Sequence, residues 1–344
     1  MLELIDKLYT SHTLSREELT MLLSGREKTD TDYLFDLTRQ TALAAYGKNV
    51  YLRGLIEFTS YCRQNCYYCG IRSGNSHAER YRLTPVEILD CCRKGYMLNL
   101  RTFVLQGGED PYYTDTRMCD IVSAIRREFP DCAITLSIGE RDRESYQRLF
   151  DAGADRYLLR HETANDEHYR FMHPVRQSLT ARMECLWNLK DIGYQVGCGF
   201  MVGSPGQTTG RLVDDLMFIQ EFKPHMVGIG PFIPHADTPF GQENAGTLEQ
   251  TLFLLAVIRL ILPHALIPAT TALGTICQDG RERGILAGAN VVMPNLTPLA
   301  SRGKYLLYQG KETNGDEAEN CKDLRRRIEG IGYAVAIGRG DWNG

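Results

Sequence analysis

The stretch Cys62-Arg-Gln-Asn-Cys66-Tyr-Tyr-Cys69 places three thiols within eight residues. Cysteine thiolates hold zinc ions and iron-sulfur clusters. On a cubane of four irons, three ligands leave one iron open, and an open position marks a catalytic rather than a structural site. The competing reading is a Cys3His zinc site completed by His77. The chain has 11 cysteines, and most of the others occur singly, as at Cys119, Cys132, Cys185, Cys198 and Cys277. An odd number and scattered placement imply thiols kept in a reducing compartment, expected to be the cytoplasm.

The triplet follows an apolar run, YLRGLIEF, and that run is the first of eight. The others are RTFVLQ, AITLS, DRYLLR, QVGCGFMV, MVGIGPF, ALIPATT and NVVMP. Short β-type runs alternating with longer helical patterns predict repeated βα units and a parallel sheet. Eight units close an α/β barrel of the TIM type, the open doubly wound sheet being the alternative. Each run ends on polar or turn residues: the cysteine loop, GGED, IGE, HETAN, GSPGQ, IPH, a Thr pair and Asn295. In a barrel all strand ends face one mouth, where active sites are built, which favours the barrel.

Strand parity predicts what fills it. In YLRGLIEF, Arg53 and Glu57 share a face opposite Leu52, Ile56 and Phe58; in DRYLLR, Arg156 and Arg160 lie opposite Tyr157 and Leu159. The outer face must pack against helices, so the charged face points inward, toward a polar cavity for an anionic or zwitterionic ligand. A buried ionic network is the other reading of those charges.

Around residues 49–311, expected to form the barrel, lie an N-terminal helical extension, 1–48, and a C-terminal extension, 312–344. In the first, Ser15 and Glu18 fit a capping box, Gly25 a stop, and a second amphipathic helix is expected from Thr31 to Gly47. The net charge is −4, with Lys and Arg dispersed, so the footprint of a nucleic-acid binder is missing. The start, MLELIDKLYT, lacks the basic then apolar pattern of a signal peptide. The longest apolar run, Thr251 to Leu262, holds Arg259 and predicts a buried helix rather than a membrane span. Gly197-Cys-Gly199 lacks the third glycine of a dinucleotide fingerprint.

With Tyr68 before its last cysteine, the Cys-x3-Cys-x2-Cys motif resembles the signature of the radical S-adenosylmethionine (SAM) superfamily. The resemblance implies one [4Fe-4S] cluster whose open iron binds the SAM amino and carboxylate groups. Reductive cleavage then gives a 5′-deoxyadenosyl radical, with an external donor supplying the electron. Gly107-Gly108-Glu109 resembles the superfamily's GGE motif, which receives the methionine ammonium. Met201-Val202-Gly203-Ser204-Pro205-Gly206 resembles its adenine-contacting segment, although Gly-Pro turns also end strands for structural reasons.

From Leu52 to Lys311 the chain resembles, segment by segment, the HydE family of FeFe-hydrogenase maturases. IEFTSYCRQNCYYCGIR, VLQGGEDPYY, GADRYLLRHETAN, MVGSPGQT, MVGIGPFIPHADTP, IPATTALGT and GANVVMPN carry the match. It implies that Glu162 and Arg182 hold the ribose and methionine carboxylate, with Ser137 nearby. It further implies a substrate cavity lined by Arg53, Gln106, Thr135, Arg156, Arg160, Met226, Thr270, Thr271, Tyr305 and Tyr308. The implied substrate is a cysteine-bound iron carbonyl/cyanide complex made by HydG, and the product passes to HydF. Some members hold a second cluster with three C-terminal cysteines; here Cys321 is joined by Thr313 and Leu324, so no second cluster is expected.

Rival assignments are a methylornithine synthase-like enzyme, a biotin synthase-like enzyme, for which Cys132 and Cys198 are poorly placed as extra ligands, and a cluster-carrying scaffold without radical chemistry.

Overall fold

The structure, a computed structural model, describes residues 1–311 and 317–344. Three helices open the chain: α1 (Leu2–Ser11), α2 (Arg16–Gly25) and α3 (Lys28–Tyr46). The Ser15/Glu18 capping box forms as expected. Helix α3 starts earlier than Thr31, because Glu27 and Asp30 make a reciprocal cap of their own. It ends at Gly47, where φ is 59°.

The barrel follows. Its first run splits into β1 (Asn49–Leu52) and β2 (Gly54–Thr59), then come α4 (Pro85–Met97), β3 (Thr102–Gly107), α5 (Asp115–Glu128) and β4 (Ala133–Ser137). Next are α6 (Arg143–Asp151), β5 (Arg156–Leu158), α7 (Asp166–Met172), α8 (Leu179–Ile192), β6 (Gln195–Cys198) and β7 (Met201–Val202). Then come α9 (Thr209–Phe222), β8 (Met226–Val227), β9 (Gly230–Pro231) and α10 (Leu248–Ile261). After α11 (Thr271–Ile276), α12 (Gly280–Leu286), β10 (Val291–Val292) and α13 (Leu299–Arg302), the described chain resumes with α14 (Glu317–Gly330) and β11 (Ala334–Ala336).

Strands β2-β3-β4-β5-β6-β8 form one parallel ladder. Single parallel bridges then join Met226 to Leu266, Pro268 to Val291 and Leu55 to Asn295, which carries the sheet back to its first strand. All eight expected runs therefore take part and the barrel closes. The seventh contributes bridges rather than a ladder, since Pro268 has no N–H to donate. The two-residue strands β7 and β9, at the ends of the fifth and sixth runs, pair with each other.

Apolar burial holds the strands to the helices. Ile56, Phe58, Phe103, Leu105, Ile134, Leu136, Tyr157 and Val196 belong to one core cluster with residues of α4, α5, α6, α8 and α9. This is the outward face that parity predicts. Helix α10 is buried on every side, and Arg259 within it is satisfied by Gly288 O at 2.9 Å, Pro263 O at 2.7 Å and Asn290 Oδ1 at 3.2 Å. Among the described residues no helix is long and apolar enough to cross a membrane.

The C-terminal segment does what the sequence reading did not anticipate. Strand β11 adds in parallel to β1, and residues 339–342 then cross the N-terminal ends of the barrel strands. There Thr102 Oγ1 donates to Arg339 O at 2.7 Å, Arg53 Nη2 to Gly340 O at 3.1 Å and Gln195 Nε2 to Asp341 Oδ1 at 3.1 Å. The tail seals the end of the barrel opposite the cysteine loop.

Candidate active site

Where β2 ends, the chain does not enter a helix directly. Residues 60–84 form a loop gathered around one guanidinium: Arg80 donates to Ile71 O at 2.8 Å, Arg72 O at 2.7 Å and Asn75 O at 3.2 Å. The helix that follows begins at Pro85, where Thr84 and Glu87 form a capping box. This loop sets the three cysteines at the barrel mouth, and Gly70 N–H fixes its far side by donating to Leu307 O at 2.8 Å.

Cys62, Cys66 and Cys69 line one cavity of about 340 Å³ together with the other strand ends. All three are free thiols. Burial pushes the Cys66 thiol up to about 12 and raises Cys62 and Cys69 as well; Arg182 pulls Cys66 back toward the thiolate. Half-buried thiols desolvated and grouped this way stay protonated in the absence of a cation, and binding iron releases their protons. His77 is no partner for them: its side chain is 75% exposed and its Nδ1 lies 2.9 Å from Asp237 Oδ1. The zinc reading loses its fourth ligand. Cys132 and Cys198 are buried and do not line the cavity.

The GGE segment closes against the cysteine loop. A Cβ on Gly108 would lie 2.3 Å from Tyr61 O and 2.6 Å from Cys62 Cβ, so only glycine lets the β3 end approach this closely. Glu109 is anchored by protein donors: Oε2 accepts from Arg63 Nε at 3.0 Å and Gln64 Nε2 at 2.7 Å, and Oε1 from Glu140 N at 3.1 Å. A carboxylate offers about four lone-pair sites, so Glu109 can still accept from an ammonium.

Glu162 lines the cavity with φ at 65°, in the left-handed region where few residues other than glycine go. Its Oε2 stands 3.0 Å from Arg160 Nη2. Arg182 is buried in the same wall, with Nη1 donating to Arg160 O at 2.7 Å and Nε paired with Glu140 Oε1 at 2.5 Å. It is thus no surface ion pair. Met201 lines the cavity, and the turn after it is held by Gln207, whose Oε1 accepts from Gly203 N at 2.6 Å while Nε2 donates to Met201 O at 2.8 Å.

Gly107, Ser137, Tyr68, Gln106, Arg160, Thr270, Thr271, Tyr305 and Tyr308 also line the cavity. Arg53, Thr135, Arg156 and Met226 do not. Arg53 and Arg156 point inward as parity requires, yet both lie at the sealed end, held by the tail, and Met226 Sδ accepts from Arg53 Nη1 at 3.1 Å. Glu57, the fourth inward charge, pairs with Lys311 and accepts from Asn295 Nδ2 at 2.9 Å. Of the four charged positions, only Arg160 reaches the cavity, which corrects the expectation that all would line it.

Three residues here escaped the sequence reading. Glu140 orients Arg182, His173 accepts from Tyr68, and Gln177 lies 3.6 Å from Cys66 Sγ. The signal for Glu140 was its place after the third strand; His173 and Gln177 sit in an α7–α8 loop with no motif.

The fit of the site to a cluster and SAM can be judged from its polar atoms. Arg160 Nε, Gln177 Nε2 and Thr270 Oγ1 are buried without hydrogen-bond partners, Arg160 Nη2 and Glu162 Oε2 have only each other at 3.0 Å, and all belong to residues lining the cavity. Buried polar groups left open on a cavity wall are what a polar ligand would satisfy. The three thiols supply the donor set a cubane with an open iron requires. On the C-terminal side, Cys321 and Leu324 pack in the apolar core on α14, and Thr313 lies outside the described residues.

Comparison with known proteins agrees with this geometry. The Radical SAM superfamily matches residues 56–219. The [FeFe] hydrogenase maturase subunit HydE of Thermotoga maritima is 47% identical over 99% of this chain and 97% of its own length. The 3-methylornithine synthase of Methanosarcina barkeri is 31% identical over 96% of this chain and 93% of its own. The crystal structure of methylornithine synthase (PylB) superposes with a TM-score of 0.85 at 29% identity, covering 97% of both chains.

Proposed function

The chain belongs to the radical SAM superfamily and, within it, to the HydE family, and from that premise we propose that it acts in assembling the active site of FeFe-hydrogenase. As a radical SAM enzyme it requires a [4Fe-4S] cluster and SAM. One-electron cleavage of the SAM sulfonium, giving a 5′-deoxyadenosyl radical, is the chemistry these two supply when bound.

Cys62, Cys66 and Cys69 hold the cluster in this reading. Gly107, Gly108 and Glu109 receive the methionine ammonium, Arg182 its carboxylate and Glu162 the ribose, with Ser137, Met201 and Tyr68 completing the cofactor side. The substrate side is Gln106, Arg160, Thr270, Thr271, Tyr305 and Tyr308, set for an anionic iron carbonyl/cyanide complex supplied by HydG and passed on to HydF. Arg53, Thr135, Arg156 and Met226 act from below, shaping the barrel floor.

The observation that carries this reading is the wall itself. A single cavity joins the cysteine triplet to Arg160, whose buried Nε has no hydrogen bond and whose Nη2 faces Glu162 Oε2 at 3.0 Å. A cation held within reach of the cluster suits an anionic metal complex. Barrel walls exclude water from a radical, and the tail closes the far end.

Complementation tests it. Cells making an immature FeFe-hydrogenase and lacking their own HydE should regain hydrogenase activity when given this chain, and Cys66→Ala should abolish the rescue. Failure to complement, together with lysine rearrangement by the purified protein, would move the assignment to methylornithine synthesis. Reconstituted protein should bind about four irons per chain; about eight would show a second cluster.

A further inference from the structure

Gln177 ends the loop between α7 and α8, one residue before Ser178, the cap of α8. Its backbone N–H donates to Pro174 O at 2.9 Å, which turns the side chain into the cavity, where the residue is 5% exposed. Its Oε1 stands 3.6 Å from Cys66 Sγ, while its Nε2 is buried without a partner. With Cys66 as a thiol, the S–H donates to the amide oxygen. A cysteine bound to iron is a thiolate, which has no proton to give. The amide oxygen would then face a negative sulfur while a donor on the same group stayed unused. A half-turn of the terminal torsion exchanges the two and brings Nε2–H to the sulfur.

Tyr68 is the competing donor. Its O–H turned toward Cys66 would favour the thiolate, yet His173 Nε2 lies 3.0 Å from the same oxygen. The ring's other nitrogen, Nδ1, faces Tyr169 O at 2.9 Å and must carry the proton to donate to a carbonyl. Nε2 is therefore the acceptor of the Tyr68 O–H hydrogen bond. Gln177 Nε2 is left as the donor that can answer Cys66.

We propose that Gln177 is a positioning residue of the cluster, donating its amide N–H to the Cys66 sulfur and raising the cluster's reduction potential. The inference rests on the cluster reading given above. Its direction follows from charge: reduction adds an electron to the cluster, and a hydrogen bond to sulfur stabilises the more negative state more.

The test compares wild type, Gln177→Leu and Gln177→Glu after anaerobic reconstitution, measuring iron content and then midpoint potential by EPR-monitored titration. All three should hold about four irons per chain. The leucine variant should show up to a tenfold lower reduction equilibrium constant, about 59 mV for one electron. The glutamate variant should fall at least as far, since it adds charge and loses the donor. A leucine variant with wild-type or higher potential overturns the proposal. If that variant holds no cluster, the glutamate variant decides, and a potential at or above wild type overturns it. Cluster loss in both also overturns it, because a tuning residue is dispensable for assembly. A wild type that takes up no cluster refutes instead the reading on which the proposal rests.

Discussion

Arg156 Nη2 donates to Asp341 Oδ1 at 2.5 Å, tying a guanidinium at the start of β5 to the tail that crosses the barrel floor. The same guanidinium reaches Arg339 O at 2.8 Å and Thr102 Oγ1 at 3.1 Å. Arg156 is 2% exposed and Arg53 is fully buried. Two neighbouring cations in a barrel core need acceptors, and the tail brings them: two carbonyls and one carboxylate.

Acid should loosen this floor. Burial works to raise the Asp341 carboxyl, but the Arg339 hydrogen bond and the Arg156 charge outweigh it and bring it to about 2, from 3.8. A depressed carboxylate contributes stability above its unfolded pKa and loses it as pH falls through the folded one. The contribution is thus present above about pH 4 and is lost as pH falls through about 2. Since the Asp341 side chain is 37% exposed, solvent screening limits it to about 1 kcal/mol. Thermal melts of wild type and Asp341→Asn should converge as pH drops from 5 to 2; curves that stay parallel would refute the linkage.

The buried pair Glu57–Lys311 makes a sharper case. Glu57 is 1% exposed and Lys311 9%, and Lys311 Nζ also donates to Tyr305 O at 2.8 Å. Lys311→Ala leaves a buried carboxylate without its cation, which costs about 3–5 kcal/mol. Replacing both, as Glu57→Gln with Lys311→Met, should recover most of that loss. Urea denaturation of the three proteins reads this directly, and a double variant no more stable than the single one would contradict it.

Gly108 predicts a failure of assembly rather than of folding. A methyl group there meets the Tyr61 carbonyl at 2.3 Å, and backbone cannot step aside as a side chain can. Gly108→Ala should therefore keep native far-UV circular dichroism while taking up well under half the wild-type iron. An alanine variant with full iron content would show that the close approach is not needed.

The cysteine triplet, the eight runs and the inward parity of Arg53, Glu57, Arg156 and Arg160 were all legible in the sequence, because each rests on local periodicity. Parity gives a face, however, and not a height along the barrel axis. Arg53 immediately precedes β2, Arg156 begins β5 and Arg160 follows β5, which is why the first two meet the tail and the third meets the cavity. Gln177 and His173 were illegible for another reason: their loop is brought to Cys66 by the packing of α7 and α8, which no spacing encodes. The tail's return to β1 is likewise a long-range pairing with no local signal.

Asp215 supports Glu162 from behind. Gly199 N donates to His161 Nδ1 at 3.3 Å, so the His161 proton is on Nε2, which stands 3.3 Å from Asp215 Oδ1. Asp215 Oδ1 also accepts from Ala164 N at 2.6 Å, and Glu162 N donates to Gly199 O at 3.0 Å. The left-handed Glu162 is thereby clamped on both sides by α9 and the β6 end. Burial brings His161 down to about 3, so it stays neutral between pH 6 and 8, and raises the Asp215 carboxyl well above its ordinary value. If Glu162 holds the ribose as proposed, Asp215→Ala should weaken SAM binding about tenfold, or about 1.4 kcal/mol, by releasing the clamp. Asp215→Asn keeps the acceptor for Ala164 N–H and should lose much less. The ratio between the two variants should be the same at pH 6 and pH 8. Equilibrium dialysis with labelled SAM, on proteins of matched iron content, checks this. Equal losses in the alanine and asparagine variants would refute the clamp, since the asparagine oxygen keeps the acceptor that Ala164 N–H uses.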